Sequence, residues 1–218
     1  MIALVRYMFT VLLLSQRYLA PLLLFLGLVV VLTNSDTGPL AATYATVAGA
    51  MLPCSAWLTM ALVDVEDRSH RSIIVVSAGS HLRVLLATVG AAAVWCLLLT
   101  VTGLVLPLMF GRHAPGLADL ALGAEAQLTS AFTGVAIGLI CSRLVFRKRG
   151  YALVLALVLL LAALVGKGFS PVNVMFTQLL NVSNSAAVLL PAGVLLAAAA
   201  GFLAAGVAVT QTIALRKA

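Results

Sequence analysis

The sequence predicts an all-α membrane protein. It is read as a single transmembrane domain over residues 1–218, with six transmembrane helices. An interfacial helix stands at the N-terminus, and a short re-entrant or interfacial segment precedes the last span. Three observations predict this. Hydrophobic residues make up 63% of the chain and charged residues only 9%, whereas a soluble domain is about one quarter charged. Apolar runs of about 20 residues, the length that crosses the hydrocarbon core as a helix, recur along the chain. Polar–apolar alternation is sparse, which argues against a β-barrel.

Residues 1–17 are apolar, with Arg6, Thr10 and Arg17 in one narrow stripe at helical spacing, the pattern of a helix lying in the interface. Spans are expected at about 18–33, 40–63, 84–109, 126–142, 151–165 and 187–213. Asn34 to Pro39 is a tight polar turn, and Pro53 inside the second span removes a backbone hydrogen bond and favours a kink. Gly111 to Glu125 reads as a loop. In the fourth span Ser130, Gly134 and Gly138 stand four residues apart on one face, a small-residue stripe that lets helices approach closely. Residues 166–186 carry Pro171, Asn173, Gln178, Asn181 and Asn184. That is too polar for a span, so this extracytoplasmic stretch reads as interfacial or re-entrant. No internal repeat is evident.

An even number of spans puts both termini on one side, and the cations test that expectation. Eleven of the thirteen Lys and Arg residues fall at the termini, in the 64–83 loop or in the 143–150 loop, leaving Arg112 and Lys167 for the other side. The positive-inside rule therefore makes the termini and both basic loops cytoplasmic, in a multi-pass protein of the cell membrane. Orientation also accounts for the net charge of +7 without nucleic acid as a partner. The N-terminal run has no A-x-A-like cleavage site, so no signal peptide is expected.

The longest polar interruption is DVEDRSHRSIIVVSAGSHLR, residues 64–83, which holds half of the acidic residues. It has the makings of a short helix. Asp64 can cap the start, Glu66 and Asp67 favour the first turn, and Ile73, Ile74 and Val76 give an apolar side. Such a helix at a membrane face suits docking on a partner.

Catalytic chemistry finds little support. All six acids, Asp36, Asp64, Glu66, Asp67, Asp119 and Glu125, fall in loops or at span ends, and no Lys, Arg or His stands in mid-span. That disfavours an ion-coupled carrier. His70 and His81 with the nearby acids read as solvated loop residues rather than a metal site. Glu66 and Asp67 have no electrophile-handling partner. Cys54, Cys96 and Cys141 are too widely spaced for zinc or a disulfide framework and read as small buried hydrophobes. No catalytic, metal or cofactor-binding residue is assigned. A Gly-x-x-x-x-Gly-Lys-Ser/Thr phosphate loop is missing, so ATP could drive this chain only through another polypeptide.

Taken over its whole length the chain resembles the small permease subunits of type-2 ABC transporters. RYLAPLLLFLGLVVVL looks like that family's first span after its elbow helix, and EDRSHRSIIVVSAGSHLRVLLA looks like its first cytoplasmic loop. The resemblance implies a coupling helix contacting a separate ATPase subunit through Glu66, Asp67, Arg68, His70, Arg71, Ile73 and Ile74. It further implies ATP and Mg on that subunit, no cofactor in this chain, and a second permease copy or related permease. The expected activity is export of a hydrophobic or amphipathic substrate. Rival readings are an ion-coupled carrier, a membrane enzyme, and a non-transporting immunity or anchor subunit.

Overall fold

Eight helices account for nearly all of the described residues. The computed structural model describes residues 2–34, 40–65, 74, 76, 79–110, 116–145, 149–166, 168, 170–180 and 185–217. Among them the helices are α1 (Ile2–Ser15), α2 (Leu19–Asn34), α3 (Leu40–Val65), α4 (His81–Phe110), α5 (Leu117–Ile140), α6 (Arg149–Val165), α7 (Pro171–Leu180) and α8 (Ser185–Lys217), and no strand occurs. Helices α3, α4, α5 and α8 are long and apolar enough to cross a membrane. Helices α1 and α2 reach that length only as a pair bent by 80°, which makes four or five candidate spans. At 17 residues α6 rises only about 25 Å, short of the ~30 Å hydrocarbon core.

The bend between α1 and α2 has a local cause. Gln16 adopts a left-handed backbone with φ 55°, a conformation that stops a helix. The Ser15 hydroxyl donates to Leu12 O at 2.8 Å, and Leu19 N–H donates to Gln16 O at 3.1 Å to start the next helix. Met8 and Leu12 are buried while Arg6, Thr10 and Arg17 stay exposed. Phe9 and Tyr18 stack on Trp95 of α4 with ring centroids 5.3 and 4.9 Å apart, fixing the corner to the bundle.

Helix α5 is the centre of the bundle, and its most extensive contacts are with α3 and α8. Small residues make this possible. A Cβ on Gly134 would strike Ser55 Oγ and come within 2.5 Å of Leu52 O, and one on Gly138 would meet Ala56 O at 2.6 Å. Gly206 of α8 faces Ala136 on the other side of α5, at 3.4 Å for an added Cβ. Two thirds of the most apolar stretch of α3 and of α5 is buried (67% in each), against 11% in α8. Helix α8 touches the bundle along one stripe that includes Ala192, Ala199, Gly206 and Thr210.

Two features differ from the sequence reading. Helix α5 starts at Leu117 rather than near 126, so residues 117–125 are helix, not loop. Gly116 N–H donates to Asp119 Oδ2 at 3.2 Å, and this carboxylate in the first turn stabilises an early helix start. Asp64 belongs to the last turn of α3, not to the start of a following helix.

The short segment expected before the last span is the ten-residue helix α7. Ala152 and Leu153 share a cavity wall with Met60 and Ala61. Val172 joins a core cluster with Leu52, the Phe176 ring sits over Gly49, and Met175 and Leu179 join Leu40 and Tyr44. Helices α6 and α7 thus both pack along α3, with α7 nearer its N-terminal end. The break between them is made by Gly166, Gly168 at φ +74° and Pro171. Asn173 Nδ2 donates to Leu164 O at 2.6 Å, satisfying a carbonyl at the end of α6 that has no intrahelical partner.

Candidate functional site

Of the seven expected ATPase contacts, Glu66, Asp67, Arg68, His70, Arg71 and Ile73 lie outside the described residues. Ile74 is helical and half-buried, packed against the cluster that contains Val63 and Val84. Val76, also helical, is 82% exposed. One member of the apolar side thus faces the bundle and another faces away from it.

Asp64, the first residue of the 64–83 segment, sits at a polar junction. Helix α3 is described as far as Val65, with Asp64 in its last described turn. Arg17, from the α1–α2 corner, donates through Nη1 to Asp64 O at 2.9 Å. Arg143, just past the end of α5, brings Nε to 3.7 Å from Asp64 Oδ1. A cavity of about 380 Å³ opens here, with Arg17, Trp57, Asp64 and Arg143 in its wall. Three segments that the charge count assigns to one membrane face therefore meet at one end of the bundle. Cys141 lies beside them, buried as a small packing group.

A second polar feature lies deeper, and the sequence reading missed it. Because α5 starts at Leu117, Glu125 stands about 12 Å inside the helix rather than in a loop. Its Oε2 is buried with no hydrogen-bond partner among the described residues, while Thr129 Oγ1 donates to its backbone oxygen at 2.7 Å. The expectation that every acid falls in a loop or at a span end does not hold for this residue. A groove of about 450 Å³ runs over it between α5 and α8, walled by Leu189, Leu190, Gly193, Val194 and Ala197. The cue was present in G-L-A-D, where Asp119 follows Gly116 by the three residues of a capping box.

Gln127, two residues on, is fully buried, and neither amide atom has a partner among the described residues. It fills the space opposite Gly103, where an added Cβ would come within 2.5 Å of Gln127 Oε1. Ser130 is buried on the same helix, followed by Gly134 and Gly138 at the α3 contact. Among the described residues no three His, Cys, Asp or Glu side chains converge to hold a metal. No protein-family model matches the chain, and no curated protein or solved structure does either.

Proposed function

We propose that the chain is the membrane permease subunit of an ATP-driven transporter, an exporter of hydrophobic or amphipathic molecules. In this reading α2, α3, α4, α5, α6 with α7, and α8 make six crossings of the cell membrane, and α1 is the interfacial elbow. Both termini, the 64–83 loop and the 143–150 loop are cytoplasmic. A separate ATPase subunit carries ATP and Mg and docks on the 64–83 loop through Glu66, Asp67, Arg68, His70, Arg71, Ile73 and Ile74. A second permease, identical or related, completes the translocation path.

The observation that carries this reading is the Asp64 junction. A loop that transmits force must be anchored where it leaves the membrane domain. Here the outlet is tied to the elbow corner by Arg17 and to the next same-side loop by Arg143. Closure of two ATPase subunits would then move helices as rigid bodies and re-gate the path. Arg71→Glu or Ile73→Asp is expected to leave ATPase activity intact while transport falls to background, with the helical content unchanged. Unaltered transport in both variants contradicts the assignment.

Glu125 favours a second reading, an ion-coupled carrier, because an acid at membrane depth is the group such carriers use. Transport by the purified chain under a proton gradient, without any ATPase, would select that reading.

A further inference from the structure

We propose that the groove between α5 and α8 binds a cationic amphiphile, its ammonium on the Glu125 carboxylate and its hydrocarbon along Leu189, Leu190 and Val194. Three properties of the groove fix this ligand class. The volume of about 450 Å³ falls within the range of small-molecule sites, about 300–1,000 Å³. Four of its walls are aliphatic side chains, Leu189, Leu190, Val194 and Ala197, which suit a hydrocarbon. The fifth is Gly193, whose missing side chain opens the space above the carboxylate: a Cβ built there would sit 3.9 Å from Glu125 Oε1.

The carboxylate sets the charge. Its Oε1 lies beneath Gly193 at the groove, its Oε2 is buried with no partner among the described residues, and a carboxylate in an apolar setting is costly to ionise unless a cation pairs with it. A metal ion is a poor fit, because hard cations need six or more oxygen ligands and the groove wall offers one carboxylate among apolar groups. An ammonium needs only a charge-assisted hydrogen bond at one end and apolar contact along the rest. Leu190 and Val194 are 86% and 68% exposed, so a ligand can enter sideways from the bilayer without crossing the bundle.

As the cargo site of an exporter the groove rests on the transport reading, but ligand binding by the chain does not. The two therefore fail separately. The test uses the purified full-length chain, without any ATPase, in nanodiscs of neutral phosphatidylcholine, with radiolabelled dodecylamine as the probe. The expected result is saturable binding that unlabelled dodecylamine displaces and dodecanol, its neutral counterpart, does not. Glu125→Gln should weaken binding about tenfold or more, the worth of a hydrogen bond to a charged group. Gly193→Leu, which fills the groove and leaves the carboxylate in place, should weaken it as well. Equal binding by wild type and Glu125→Gln, or equal displacement by dodecanol, overturns the proposal. No saturable binding, together with copy-to-copy disulfide formation by Leu190→Cys, gives the groove to a second copy and overturns it too.

Discussion

At Gly134 the missing side chain decides how close α3 and α5 can come. An added methyl would meet Ser55 Oγ and the backbone oxygen of Leu52, and a backbone atom cannot swing aside as a flexible side chain does. Gly134→Ala should therefore destabilise the protein by about 1–3 kcal/mol, the usual cost of overpacking. Gly201 is the control, because nothing lies within 4 Å of a Cβ built there. Gly201→Ala should stabilise by up to about 1 kcal/mol through helix propensity alone. Thermal unfolding of both variants in one detergent checks the pair, and a shift of the same sign in both would refute the close-approach account. The glycine spacing was legible because it is a local pattern, with 134 and 138 one turn apart. Glu125 was not, because its place depends on where α5 begins, and a nine-residue error in that boundary moved it from helix to loop.

The corner between α1 and α2 shows how one element holds another. Arg17 bonds the backbone oxygen of Asp64, whereas Arg143 approaches its carboxylate. These contacts respond to different substitutions. Asp64→Asn removes only the charge on a partly exposed pair and should cost less than about 1 kcal/mol. Arg17→Ala removes the charged donor to the end of α3 and should cost roughly 1–2 kcal/mol. Hydrogen exchange over residues 15–19 and 61–65 should accelerate in Arg17→Ala and stay near wild type in Asp64→Asn; the reverse order would contradict the anchoring role. The packing of α7 against α3 was hidden in the sequence for a physical reason. Asn173 and Gln178 lower the local hydropathy, yet the amide of Asn173 is spent on the last turn of α6. Polarity used inside the protein was read as polarity facing water.

For the whole molecule, composition alone was enough for class: a chain 63% hydrophobic and 9% charged has to put apolar surface somewhere other than water. The structure does so, with large aliphatic side chains exposed along α2, α4, α6 and α8. What composition could not give was the packing order. A helix that is apolar all round carries no stripe to say which face meets its neighbours. Only the small residues of α5, and the few of α8 that match them, break that ambiguity. The central position of α5 thus brings together the anchored outlet of the 64–83 loop at one end and the Glu125 groove nearer the other. In the proposed mechanism, motion imposed at the first is felt at the second through the tight α3–α5 contact. The most direct measurement is an in-cell cross-link from a photoreactive amino acid at position 71, with the captured protein identified by mass spectrometry. The account predicts an ATPase carrying a Gly-x-x-x-x-Gly-Lys-Ser/Thr loop, with the cross-link lost when Ile73 is changed to Asp. Reaction of position 71 with a membrane-impermeant reagent applied outside intact cells would contradict it.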